Sequence, residues 1–162
     1  MEALLFDKLS EIRRERHFLE NELGVKIRIV GNEVFIDGPS FEEYEAFIVL
    51  EAMQLGFSAK KALTLRDESM IFRRIQIKNF TKRKNLEEVR ARIIGREGKT
   101  KKTIEEISSC HLIINGNEVG IIASAKNIDD ATTAITNLIR GSKQANVYRY
   151  LERMNAEKRK YK

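Results

Sequence analysis

Residues 86–114 read LEEVRARIIGREGKTKKTIEEISSCHLII, and this stretch decides the fold. Leu86, Val89 and Ile93 are spaced for one face of a short helix that stops at Gly95. A second helix begins after Gly98, with Ile104 and Ile107 on its inner face. Cys110 to Ile114 is then too short and too apolar for a third helix, and reads as a strand. Working outward, Asn115-Gly116 marks a tight turn before a second strand, Glu118 to Ala123. A last helix opens at Asn127, carries Ile128, Ala131, Ala134, Ile135 and Leu138, and ends at Gly141. Upstream, Ile71 to Lys78 alternates in part and predicts an opening strand. The order is strand, helix, helix, strand, strand, helix, an α+β arrangement.

The same pattern occurs twice. Shifted by 85 positions, Gly31-Asn32-Glu33-Val34 falls on Gly116-Asn117-Glu118-Val119, and Glu20, Ile29, Ile36, Ala46 and Gly56 meet identical residues. Apolar positions also match, Leu19 with Ile104, Val25 with Cys110 and Ile27 with Leu112. The chain therefore reads as two copies of one domain, residues 1–69 and 70–143, followed by a basic helical tail, 144–162. In the first copy a hairpin turns at Gly31-Asn32, and Ser40 with Glu43 predicts a capping box for a helix ending at Gly56. Met1 aligns with Leu86, so the first copy is expected to lack the opening strand, and residues 2–23 read as one long helix.

Composition limits what such a chain does. Of 162 residues 33% are charged and the formal net charge is +6. Residues 1–69 hold 9 Lys/Arg against 14 Asp/Glu, whereas residues 70–162 hold 21 against 10. That asymmetry directs the second part toward a polyanion. No apolar run approaches the ~20 residues that span a bilayer, and the single cysteine excludes an internal disulfide framework. The expectation is a cytoplasmic protein that needs no membrane, metal or cofactor.

Gly95-Arg96-Glu97-Gly98 is the candidate site. The spacing alone is common, and its context gives it meaning. Residues 70–102 hold 12 Lys/Arg against 3 Asp/Glu. Glycines at both ends allow a sharp turn and let phosphates approach without a Cβ in the way. The helix that follows presents unpaired amides and a positive dipole end. Arg92, Arg96, Lys99, Thr100, Lys101 and Lys102 surround the loop. Ile94, Ile104, Leu112 and Ile114 form the expected apolar ledge for unstacked bases. Glu97 either points into solvent or weakens phosphate binding and shifts the burden to Arg96 and Lys99.

Arg92 to Thr100, followed by Thr103-Ile104-Glu105-Glu106, resembles the core of a type I KH domain. More narrowly, the chain resembles the tandem-KH ribosome-assembly family of partner-of-Nob type and its archaeal counterparts, with Krr-type assembly factors as nearest relatives. The further segments carrying this are Thr133 to Ile135, Asn137 to Gly141, Asn146 to Tyr148 and Gly56 to Leu63. The resemblance implies two tandem type I KH domains and non-catalytic binding of single-stranded RNA, the 3′ region of small-subunit rRNA during ribosome assembly. It also implies work with the Nob-type endonuclease and contact with the alpha subunit of translation initiation factor two. By the same resemblance Gly95 to Gly98 holds the RNA backbone, as KH loops do for about four nucleotides.

The first copy departs from that pattern, because Ser10-Glu11-Ile12-Arg13 stands where the glycine loop should be. It reads as a degenerate copy that packs or recruits protein, with Arg13, Arg14 and Arg16 either on a solvated helix face or touching RNA. Lys82-Arg83-Lys84 falls in a loop that either contacts RNA or is merely solvated. In the tail, Val147, Tyr150 or Leu151, and Met154 form a stripe expected to dock on the domain, while the basic end frays. Tyr148 and Tyr150 are expected to pack, with stacking on bases as the other reading. Cys110 is expected to be a small buried hydrophobe, and His17 and His111 surface residues. No pairing of nucleophile and base, and no metal-ligand spacing, is visible, so an enzyme is not expected. Two other readings stand beside RNA binding: a protein adaptor with a nonspecific basic docking surface, and a single-stranded DNA binder.

Overall fold

A computed structural model describes residues 2–161; Met1 and Lys162, the ends of the two predicted outer segments, lie outside them. The chain divides into two compact units, one running to Glu68 and the other starting at Ser69.

In the first unit β1 (Glu2–Leu5) leads to α1 (Ser10–Leu23), β2 (Lys26–Val30), β3 (Glu33–Asp37) and α2 (Ser40–Leu55). A short helix α3 (Ala59–Ala62) and a 3-10 turn, Leu63–Arg66, follow. The sheet has the order β1-β3-β2, antiparallel throughout, with Leu5 opposite Glu33 at one end of the β1–β3 ladder. Ile12, Leu19 and Leu23 of α1 are buried, as are Ile27, Val34 and Ile36 of the strands and Ala46, Val49, Leu50 and Met53 of α2. These are the inward positions of 3.6- and 2-residue periods.

The second unit runs β4 (Met70–Gln76), α4 (Leu86–Ile94), α5 (Lys99–Ser108), β5 (His111–Asn115), β6 (Glu118–Ser124), α6 (Ile128–Arg140) and α7 (Gln144–Lys160). A 3-10 turn, Ile77–Phe80, joins β4 to the loop before α4. Its sheet order is β4-β6-β5, again antiparallel, with Gln76 opposite Glu118. Ile93, Ile104, Leu112, Val119, Ile121, Ile135 and Leu138 close one apolar core.

Several expectations are corrected. The first unit does have an opening strand, β1, and residues 2–23 are not one helix: Phe6 is buried and α1 starts at Ser10. What the first unit lacks, among the described residues, is a partner of α4. An ungapped shift lays residues 2–9 on α4, although they form a strand and a link, so the piece absent from the repeat is the helix and not the strand. The second hairpin turns at Gly116-Asn117 rather than Asn115-Gly116, because Asn115 still pairs with Glu118 in the ladder. Glycine takes the positive φ of 57° at the first central position. The Ser40–Glu43 capping box does not form: Pro39 is the N-cap, its carbonyl accepting from the Glu43 amide at 2.8 Å. The tail is part of the second unit, and it is helical through Lys160 rather than frayed.

α7 is fastened along its length. Val147 and Leu151 are buried, and Met154, Tyr148 and Tyr150 are half-buried. Asn155 Nδ2 donates to the Ile107 carbonyl at 2.7 Å, and Lys158 Nζ pairs with Asp130 at 2.5 Å. Burial of this apolar stripe, at about 25 cal/mol per Å2, stabilises a 17-residue helix that would be marginal alone.

Candidate nucleic-acid interface

The loop between α4 and α5 is built from unusual backbone. Gly95 has φ 77°, Glu97 φ 54° and Gly98 φ 75°, so three of four residues lie at positive φ. For Glu97, a residue with a Cβ, that conformation costs roughly 1 kcal/mol or more. The Gly98 amide donates to the Gly95 carbonyl at 3.2 Å and closes the turn.

The two glycines serve different ends. A Cβ on Gly95 would lie 2.1 Å from Thr100 Oγ1 and 2.6 Å from its Cβ, because Thr100 is tucked directly beneath. A Cβ on Gly98 would meet nothing within 4 Å. Gly95 therefore holds the loop down on the first turn of α5, whereas Gly98 leaves open space where the chain faces outward. The Lys99 amide donates to the Arg96 carbonyl inside the turn, so the next amides of the first turn of α5, with the helix dipole, are what make this end attractive to an anion.

The predicted site residues separate into two groups. Arg96, Glu97, Lys99 and Lys102 are exposed around the loop, and Ile94, 37% exposed, sits at its edge. Three others are engaged elsewhere. Thr100 is buried and supports Gly95, so its hydroxyl is not presented to a ligand. Lys101 pairs with Glu105 at 3.2 Å, the i,i+4 arrangement of one helix face. Arg92 turns away from the loop and donates from Nη2 to the Ser142 carbonyl at 2.7 Å. Of the apolar ledge, Ile104 and Leu112 belong to the core; Ile114 is half-buried on the edge strand β5. Tyr148 and Tyr150 pack against that core, as expected.

Glu105 has a role that spacing alone did not reveal. Its Oε2 accepts from the Leu112 amide at 3.0 Å, tying α5 to the edge strand. Glu20 does the same for the Ile27 amide at 2.8 Å. Its identity at the 85-residue shift was the available signal. Arg90 is likewise structural, donating to Asn117 Oδ1 at 2.7 Å at the hairpin turn. Cys110 is buried, and burial, with the Glu105 carboxylate nearby, pushes its thiol up to about 12. Among the described residues no group of three or more His, Cys, Asp and Glu side chains is placed to hold a metal ion, and no helix is long and apolar enough to cross a membrane.

Comparison with known proteins agrees with this geometry. The family model for the second KH domain of PNO1, a eukaryotic-type (type I) KH domain, matches residues 71–156. A KH domain-containing protein of Methanocaldococcus jannaschii is 30% identical over 158 residues, 93% of this chain and 68% of that one. The pre-rRNA-processing protein pno1 of Aspergillus fumigatus is 30% identical over 122 residues, 73% of this chain; the match spans 48% of that relative's length. Among solved structures, a chain from the a/eIF2alpha–aDim2p–rRNA complex of Pyrococcus horikoshii superposes with a TM-score of 0.88. It is 31% identical, with 96% of this chain and 94% of that one covered.

Proposed function

The chain belongs to the PNO1-type family of type I KH proteins, and from that premise we propose that it binds single-stranded RNA through the loop Gly95 to Gly98. The RNA is a segment near the 3′ end of small-subunit rRNA, held during ribosome assembly and without catalysis. One observation carries this reading: an open glycine turn with three positive φ values, set at the start of α5 among exposed Arg96, Lys99 and Lys102. Backbone amides and cations there suit phosphates of a strand whose bases are free to lie against Ile94 and Ile114. The solved complex that contains rRNA and a/eIF2alpha supports the same partners for this chain. The Nob-type endonuclease is proposed from family resemblance alone.

Titration with a short single strand from the rRNA 3′ end, its DNA analogue and an RNA duplex, at several salt concentrations, tests this. The single-stranded RNA is expected to bind most tightly, with a linear loss of log affinity as salt rises. Arg96→Asp combined with Glu97→Asp places two carboxylates where phosphate should lie and should lower affinity at least about tenfold, an effect of ~1.4 kcal/mol. If this variant binds RNA like the parent, the loop is not the clamp. Equal affinity for duplex would reduce the surface to nonspecific basic docking.

A protein-recruiting role for the first unit has its own support. Phe41 and Tyr44, one turn apart on α2, are exposed by 63% and 64%, beside Glu42 and Glu45. Phe41→Ser with Tyr44→Ser in the full chain should leave RNA affinity unchanged while weakening capture of the initiation-factor alpha subunit. Undiminished capture would reject that surface.

A further inference from the structure

Arg92 was expected at the glycine loop, and its actual position opens a second question. Its guanidinium lies at the turn between α6 and α7, where Gly141 has φ 112°. A Cβ built on Gly141 would lie 3.8 Å from Arg92 Nη1 and 3.9 Å from Arg83 Nη2. Outside the glycine's own chain neighbours, no other heavy atom comes within 4 Å of that point. Two guanidinium groups thus meet over a backbone position that carries no side chain.

The surroundings are cationic. Arg140 stacks on Phe80 with its guanidinium carbon 5.3 Å from the ring centroid, and Lys143 is exposed two residues beyond Gly141. Among the described residues none of Arg83, Arg92, Arg140 and Lys143 has a carboxylate within ion-pair distance. Concentrating unpaired cations costs stability by mutual repulsion, a cost that a bound anion removes. The 17-residue helix α7 starts three residues after Gly141, so its unpaired first amides and dipole end add to the same field.

We propose that Arg83 and Arg92, meeting over Gly141, seat one phosphate of a nucleic-acid strand outside the glycine-loop clamp. Planar forked donors suit phosphate oxygens, and Arg92 is already oriented by its bond to Ser142. A strand rather than a small phosphate compound is favoured because the seat is flanked by the exposed neighbours of Arg83, Lys82 and Lys84, which suit further phosphates of the same strand. Arg92 also lies only three residues, about 4.5 Å of helix, before the loop. The seat rests on the RNA-binding reading, and extends it from the nucleotides inside the clamp to one beyond.

Two measurements on the full chain test it. In the first, inorganic phosphate is titrated while the amide resonances of Gly141 and Ser142 are followed. They should shift in the parent and in the Arg96→Asp, Glu97→Asp variant, and should stop shifting in Arg83→Gln. In the second, the parent and Arg83→Gln are compared on a strand of about four nucleotides, which the clamp alone accommodates, and one of roughly ten. Arg83→Gln should leave the short strand's affinity unchanged. It should weaken the longer strand about three- to tenfold and lower its salt slope by about 0.7, one phosphate contact on a single strand. Equal losses on both lengths, or none on either, overturn the seat, as does a phosphate response that survives Arg83→Gln. If the parent binds no RNA yet Gly141 still responds to phosphate, the RNA reading fails; the seat then belongs to free phosphate and its assignment to a strand is overturned.

Discussion

The two units share a sheet order and a helix-to-strand lock but not a loop. In each, a glutamate on the helix before the hairpin accepts from an amide of the edge strand, Glu20 from Ile27 and Glu105 from Leu112. In each, the first amide of the following segment returns to that glutamate's carbonyl, from Val25 and from Cys110. The second unit alone inserts α4 and the glycine turn between its first strand and that helix. The difference teaches that the framework is set by the sheet and the lock, while the proposed RNA contact depends on what is placed ahead of them.

The sharpest way to break this comparison is Gly95→Ala. The new methyl would collide with Thr100 and demand positive φ, so unfolding free energy should fall by about 2–3 kcal/mol in denaturant titration. A loss below about 0.5 kcal/mol would mean the loop does not depend on Thr100 packing. Next come Glu20→Ala and Glu105→Ala. Each leaves a partly buried strand amide unpaired and should cost about 1–2 kcal/mol. Similar losses would confirm a shared lock; a much smaller loss at one of them would show that the likeness is only in sequence.

A smaller effect of opposite sign is expected at Ser109. It ends α5 at φ 50°, where the first unit ends α1 with Gly24 at φ 68°. Ser109→Gly should therefore raise stability by about 0.5–1 kcal/mol, and Gly24→Ser should lower it by a similar amount, both read as shifts in Tm. The least change is expected at Cys110, whose counterpart is Val25. Burial raises its folded pKa above the value in the unfolded chain, so its contribution is intact below about pH 9. It is lost as pH climbs toward about 12. Cys110→Val should match the parent near neutrality and show a weaker loss of stability in that alkaline window, measured as the difference between the two curves.

Much of this was legible in the sequence. Helix faces such as Ile128, Ala131, Ile135 and Leu138 and the turn glycines follow from local periodicity and backbone freedom, which need no knowledge of distant partners. The loop was legible because glycines and lysines stand together in the chain. The rest depended on tertiary direction. Arg92 is two residues before the loop's neighbour Ile94, yet its side chain bonds Ser142, 50 positions away. Thr100 looks like a solvent-facing helix start until Gly95 is seen lying on it. Ile104 and Leu112 look like a ledge because apolar spacing does not separate a core wall from a groove wall. The opening strand of the first unit is not legible from the repeat, because a fixed shift cannot represent a deletion.

The two ladder registers carry a kinetic and entropic meaning. Leu5 pairs with Glu33, 28 positions on, and Gln76 pairs with Glu118, 42 positions on. Loop-closure entropy grows with the logarithm of that separation, so inserting α4 and its turn raises the closure cost by only about 0.4 kcal/mol. Chain length is thus no barrier to carrying this insert; the positive-φ backbone of Glu97, at roughly 1 kcal/mol or more, weighs more. A segment so inexpensive to close fits between the first strand and the helix without any change in the order of the sheet.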